Sequence, residues 1–391
     1  MRRNMQGSAT RSPAARSVMA LAIAWTMIGV STINAGAVET TARNALLLDF
    51  ETNTVLFEKN ADVEIPPASL SKLMTLAIIF DELKRGSIRR DEMFPVSEYA
   101  WKTGGAASGG STMFLPLNSQ VSVADLIKGI AIQSGNDATI VAAEGIAGSV
   151  PAFAERMNAK AQELGLTHSH FANPHGLPDP GQRVSVRDLA TLAAYLIRTY
   201  PEEYPLFSEE EFTFNGIRQQ SRNPLLAYGA DGLKTGHTAE AGYGLVASAK
   251  DEKGRRIIFA MTGMKSTAER ATEARAMLTL GLKGFENVVV LEGGKTAGEI
   301  PVQGGDEPSV PVKAAGEVRF LEPRGSGAPY VSEVVAIGPV EAPLPEGRRV
   351  AVLRVSRDGK VVREEPLYAA KAVEQAGLLQ RIQDTVMGHF R

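Results

Sequence analysis

The 391-residue chain is 44% hydrophobic, long enough for two domains with appendages, and holds no cysteine, which excludes thiol nucleophiles, disulfides and Cys-based zinc sites. Its net charge of −2 at pH 7 lacks the basic excess expected of a nucleic-acid binder. Of five histidines only His168 and His170 are close together, with no acidic or histidine partner at helical spacing, so neither a metal nor another cofactor is expected.

The N-terminus places Arg2, Arg3, Arg11 and Arg16 ahead of an apolar run, Val18 to Val30. Small residues Ala35 and Ala37 then stand at the minus-three and minus-one places of a cut after Ala37. This three-part order reads as a secretory signal peptide over residues 1–37, with an uncleaved anchor as the alternative. Its removal leaves 38 basic against 44 acidic residues, a net charge of −6. An exported protein follows.

Residues 38–284 mix short apolar strands with helical patterns. "NALLLDFETNTVLFEKN" predicts a hairpin around Thr52 and Asn53. "LSKLMTLAIIFDELKRG" predicts a largely buried helix stopped by Gly86. "SVRDLATLAAYLIRTYP" predicts a second, with Ser185 as N-cap and Pro201 past its end. "LVASAKDEKGRRIIFAMTG" predicts two strands joined by a charged turn. Strands at both ends with helices between give an α/β (α+β) unit whose sheet is mostly antiparallel. Over 285–366 short Val-rich runs alternate with Gly and Pro, and Asp358-Gly359 is a hairpin signal, so a small all-β domain is expected. Residues 367–391 return to helix, with Leu378, Ile382, Val386 and Phe390 four apart. That stripe reads as an amphipathic helix on a membrane surface, or one packed on the β domain or a partner.

Three short motifs carry chemistry. In "PASLSKLMT", Ser69 and Lys72 are three apart at a helix start and share one face. A serine hydroxyl needs a base to become nucleophilic, and lysine serves when burial and neighbouring cations lower its pKa. In "IQSGNDAT", Ser134 and Asn136 can project together from a tight turn, offering a hydroxyl for proton relay and an amide to orient a substrate. In "DGLKTGHT", Lys234 is the polar exception within an apolar strand. Each motif alone has a structural reading: a capping serine, a second Ser-x-Asn at Ser221–Asn223, a lysine at a strand edge. Their order and spacing carry the weight.

Those motifs in that order resemble the penicillin-recognising serine enzymes, which include β-lactamases and penicillin-binding proteins. "NPHGLPDPGQ", "EFTFNGIRQ", "RNPLL" and "DGLKTGHTAEAGY" extend the resemblance, from about Ala42 to Phe285, to the D-alanyl-D-alanine carboxypeptidases among the low-molecular-mass penicillin-binding proteins. The resemblance implies a transpeptidase/β-lactamase-like fold for the catalytic domain. It makes Ser69 the acylated nucleophile, Lys72 its general base, and Ser134 and Asn136 the opposite wall, with Ser134 in the proton path. Lys234 and Thr235 would sit where a terminal carboxylate binds, with Lys234 also depressing the pKa of Lys72. Gly236 would keep the strand edge open for the peptide, and the N–H groups of His237 and Ser69 would form the oxyanion hole. Arg222 is expected to bind the carboxylate, Arg270 to border the cleft or pair on the surface, and His175 to play a structural role bordering the site.

The implied reaction removes the terminal D-alanine of peptidoglycan pentapeptides, with β-lactam antibiotics as covalent inhibitors. The expected location is periplasmic, peripheral on the outer face of the cytoplasmic membrane through the C-terminal helix, with no nucleic-acid partner. The rivals are a class A-like β-lactamase using Glu163, a penicillin-binding sensor or scaffold without turnover, and an endopeptidase using the same residues.

Overall fold

The computed structural model describes residues 39–325 and 327–377. The signal-peptide reading and the stripe from Leu378 to Phe390 lie outside them. No helix among the described residues is long and apolar enough to cross a membrane.

The catalytic domain is organised around one antiparallel sheet of five strands: β1 (Asn44–Asp49), β2 (Val55–Lys59), β3 (Ala230–Thr238), β4 (Gly242–Lys250) and β5 (Arg256–Met264), in the order β2-β1-β5-β4-β3. These strands are nearly continuous apolar runs because both faces are covered. Leu46, Val246, Ile258 and Ala260 face a large helical core. Their neighbours Ala45, Leu47, Leu245, Ala247, Ile257 and Phe259 face a second core with Ala274, Met277 and Leu278. Helix α1 (Lys72–Arg85) is buried from Lys72 to Glu82 and ends at Gly86, whose φ of 73° is the left-handed cap that glycine adopts without strain. Around it lie α2 (Asn136–Ala147), α3 (Val150–Glu163) and α4 (Val186–Thr199), the last capped by Ser185 as its sequence predicts. Helix α5 (Thr267–Lys283) covers the other face of the sheet. Strand β3 is an edge, so its outer side is open to the cleft.

The all-β domain follows without a linker. Strands β6 (Phe285–Leu291) and β9 (Val318–Pro323) pair with each other. β7 (Thr296–Pro301), β8 (Ser309–Ala314), β10 (Val331–Ala336), β11 (Arg349–Arg357) and β12 (Lys360–Ala369) form a second sheet in the order β7-β8-β12-β11-β10. The β11–β12 turn is Asp358-Gly359, both at positive φ (50° and 72°) as a tight hairpin requires. Phe285 and Leu321 are buried in the catalytic domain's second core, and Arg324 donates to the carbonyls of Lys283 and Gly284 at the end of α5.

One expectation is corrected. Residues 367–377 are not helical: 367–369 finish β12, and the chain then runs irregularly to residue 377. Leu367 and Ala369 alternate inward at strand period, and Val373 and Ala376 are buried. Bridges from Val373 to Leu344 and from Gln375 to Gly305 hold this segment on the β domain.

Candidate active site

Ser69 sits in the tight helical turn Ala68–Ser71 that leads into α1. Ala68 is held at φ 48°, a region that costs a non-glycine residue about 1–2 kcal/mol. Its carbonyl accepts from Ser71 Oγ at 3.0 Å, and Gly176 of the His-Gly-Leu motif packs directly on it. A Cβ on Gly176 would lie 1.8 Å from that carbonyl oxygen, and Gly176 itself has a φ of +82°. The motif therefore needs glycine there to approach the backbone beside Ser69.

Lys72 is wholly buried one turn on. Its Nζ donates to Ser69 Oγ (3.0 Å), Asn136 Oδ1 (2.7 Å) and the His175 carbonyl (2.5 Å). Those three acceptors use all three protons of an ammonium; a neutral amine would have a lone pair for the Ser69 proton. Burial, then the charges of Lys234 and Arg222, push the Lys72 pKa well down, and Asp137 opposes them. Lys234, also buried, is pushed down to about 7 by burial and by Arg222 and Arg270.

The opposite wall comes from the Ser-Gly-Asn turn. Ser134 adopts φ 68°, and its buried Oγ has no hydrogen-bond partner among the described residues. Asn136 opens α2 and donates its N–H to the Ser111 carbonyl at 2.8 Å. Asp137 is fully buried and ties down the segment beside it. Its carboxylate accepts from Thr112 Oγ1 (2.7 Å) and from the N–H groups of Met113 (2.8 Å), Leu115 (3.1 Å) and Ala138 (2.9 Å). Neither Asp137 nor Ser111 was marked by the sequence motifs, although Asp137 directly follows Ser-Gly-Asn and Ser111 ends a Gly-Gly-Ser run.

These elements enclose a cleft of about 420 Å³ that Ser69, Ser134, Asn136, Arg222, Thr235 and His237 help to line. Lys234 is buried, and its Nζ donates to the Thr235 carbonyl at 3.2 Å. Arg222, exposed at the mouth, donates to Ser111 Oγ. Arg270 is buried, not a surface residue: its Nη2 is 3.5 Å from the Arg222 carbonyl and its Nε has no partner among the described residues. His237 turns its ring outward onto Tyr243, centroids 3.8 Å apart, leaving its backbone on the strand edge. Gly236 lines the cleft, and a Cβ there would meet Leu70 (3.1 Å) and Ala68 (3.3 Å). The glycine lets the strand lie close against the Ala68–Ser71 turn. His175 is buried and borders the cleft.

No Asp or Glu lines this cleft among the described residues. Glu163, the residue a class A-like β-lactamase would need, ends α3 on the surface and pairs with Lys160 at 2.6 Å. The arrangement supplies an activated hydroxyl, a second hydroxyl across the cleft, and cations for an anionic group.

Comparison with known proteins gives a consistent picture. The D-alanyl-D-alanine carboxypeptidase family profile matches residues 31–266, and that of the penicillin-binding protein 5 C-terminal domain matches 285–375. The chain is 39% identical over 358 residues to the D-alanyl-D-alanine carboxypeptidase DacA of Haemophilus influenzae, covering 90% of this chain and 91% of that protein. A crystal structure of penicillin-binding protein 5 from Haemophilus influenzae superposes with a TM-score of 0.73 at 39% identity, over 86% of this chain and 98% of that one. Penicillin-binding protein D2 of Listeria monocytogenes, solved in its ampicillin-bound form, is 29% identical with a TM-score of 0.54, over 63% of this chain and 99% of that one.

Proposed function

The chain belongs to the D-alanyl-D-alanine carboxypeptidase family, and on that premise we propose that it removes the terminal D-alanine of peptidoglycan pentapeptides through an acyl-enzyme on Ser69. The observation that carries this reading is the 3.0 Å contact between Ser69 Oγ and a lysine with no solvent exposure. Neutral Lys72 takes the Ser69 proton as Oγ attacks the carbonyl of the penultimate D-alanine. The N–H groups of Ser69 and His237 receive the oxyanion, at about 3 kcal/mol per donor. Ser134 passes a proton to the departing amine, so that D-alanine leaves neutral at nitrogen, and water then releases the acyl group. Lys234, Thr235, Arg222 and Arg270 meet the terminal carboxylate.

β-Lactams would acylate the same Ser69, in keeping with the ampicillin-bound relative. The basic and apolar N-terminus supports export to the periplasm, and the stripe of Leu378, Ile382, Val386 and Phe390 supports a peripheral place on the outer face of the cytoplasmic membrane. The deciding experiment measures D-alanine release from diacetyl-Lys-D-Ala-D-Ala by the native enzyme and by Ser69→Ala. Release confined to the native enzyme is expected. Release that survives in the variant, or none from either, refutes the reading.

A further inference from the structure

The segment "NPHGLPDPGQ" carries an amide side chain at each end, Asn173 and Gln182. It contains no helix or strand, so no backbone ladder fixes it. At its root His170 and Arg183 exchange backbone hydrogen bonds of 2.8 and 2.9 Å. Beyond them, side chains take the place of a ladder. Gln182 Oε1 accepts the N–H groups of Ala172 (2.6 Å) and Asn173 (3.0 Å). Asn173 Oδ1 accepts the Gly176 N–H at 2.7 Å, and its Nδ2 donates to the Leu177 carbonyl at 3.1 Å. Thr75 Oγ1, on α1, donates to the Pro174 carbonyl at 2.6 Å. Gln182 and Asn173 are only 3% and 8% exposed, so little water competes for these bonds.

This frame holds the His175 carbonyl 2.5 Å from Lys72 Nζ. A neutral lysine amine has two N–H donors and one lone pair. The His175 carbonyl and Asn136 Oδ1, the latter at 2.7 Å, can only accept, so they claim both donors. Ser69 Oγ, at 3.0 Å, is the neighbour of the three with a proton to give, and the lone pair is left facing it. We infer that Gln182 and Asn173 are positioning residues for the base: they pin the turn whose carbonyl aims the Lys72 lone pair at Ser69. The inference rests on the acyl-enzyme reading above. Neither residue exchanges a proton, and each acts through His175 and then Lys72. A catalytic group displaced by about 1 Å loses on the order of a hundredfold in rate, so a loosened turn has a measurable cost.

The test follows acylation of the full chain by labelled penicillin at the alkaline pH where the native rate no longer rises. Lys72 is then neutral beside Lys234, Arg222 and Asp137, the charged groups that face it. A change in its pKa does not register on that plateau, so the rate reads its orientation. Gln182→Met keeps the side chain's length and removes its amide. Its acylation rate at saturating penicillin is expected to fall by about tenfold to a hundredfold, with the half-saturating concentration little changed. Gln182→Glu keeps an oxygen facing both N–H groups and should recover most of that loss. Asn173→Ala, which cuts the tie at Gly176, should show the same split as Gln182→Met. The label bound at completion counts folded enzyme, and rates are taken per labelled molecule, so unfolding cancels. Where one of these two variants takes no label, the other decides. An unchanged saturating rate overturns the inference, as does a loss confined to the half-saturating concentration. A Gln182→Glu enzyme no faster than Gln182→Met overturns it too. Native protein that takes no label instead removes the acyl-enzyme reading on which it rests.

Discussion

Lys72 and Asn136 are 64 residues apart in the chain and 2.7 Å apart in the site, with Asn136 Oδ1 accepting from Lys72 Nζ. The contact makes Lys72, the base of the proposed mechanism, sensitive to whatever stands at position 136. Asn136→Asp would place a carboxylate against the ammonium and raise the Lys72 pKa, since an opposite charge favours the charged form. Each unit of that rise cuts the neutral, basic fraction about tenfold. Penicillin acylation of Asn136→Asp should therefore fall, and the acidic limb of its pH profile should move to higher pH. The second-order acylation rate followed from pH 5 to 10 checks this, with Asn136→Ala as a variant that loses the amide and gains no charge.

Asp137→Asn tests the anchor behind the wall. Asparagine keeps one acceptor oxygen and brings an amide donor to face N–H and O–H donors that the carboxylate now satisfies. Each buried donor left unpaired costs about 1–3 kcal/mol. The expected result is a clear drop in the denaturation midpoint together with a higher KM, as the segment around Ser111 loses its fixed position. An unchanged midpoint would mean that the carboxylate is not needed to hold it.

Two glycines predict unequal penalties. Gly176→Ala adds a Cβ 1.8 Å from a backbone oxygen at a φ of +82°, so backbone must move, and penicillin labelling of Ser69 should be lost or nearly so. At Gly236 the new Cβ meets Leu70 and Ala68 at 3.1 Å and 3.3 Å, where a shift of tenths of an ångström suffices. Gly236→Ala should keep labelling at a reduced rate, within the 1–3 kcal/mol typical of mild overpacking. Thermal melts beside the labelling rates separate folding from chemistry.

His175 is expected to make the fold acid-sensitive. Burial first, and the charge of Lys72 second, push its pKa down to about 3, and its Nδ1 accepts the Leu177 N–H at 3.1 Å. The native state thus leaves His175 unprotonated while the unfolded chain protonates it below its ordinary value near 6.5. More protons bound in the unfolded state means stability falls as pH drops from 6.5 toward 3, with a limiting slope of about 1.4 kcal/mol per pH unit from this group. His175→Gln should flatten the slope in that window. Denaturant titrations at pH 7, 5 and 4 measure it, and an unaltered slope would assign the acid sensitivity to other groups.

Local pattern alone determined much of this protein. Helices α1 and α4, the stop of the first at Gly86 and the start of the second at Ser185, the hairpins at Thr52-Asn53 and Asp358-Gly359, and the pairing of Ser69 with Lys72 on one helical face all follow from neighbours a few residues apart. Helical and strand periods, caps and turns are short-range properties, so they are legible in one dimension. The same logic misled at 367–377, where a helical reading met residues that the β domain's core takes up at strand period. Only the tertiary structure decided that Asn136 reaches Lys72, that Arg270 is buried against the Arg222 carbonyl, and that Lys234 is buried with its Nζ on the Thr235 carbonyl. It also decided that Asp137 holds the wall and that Gly236 yields to Leu70. Those outcomes depend on burial and on the field of charges brought together from distant segments, and both exist only once the chain has closed its core.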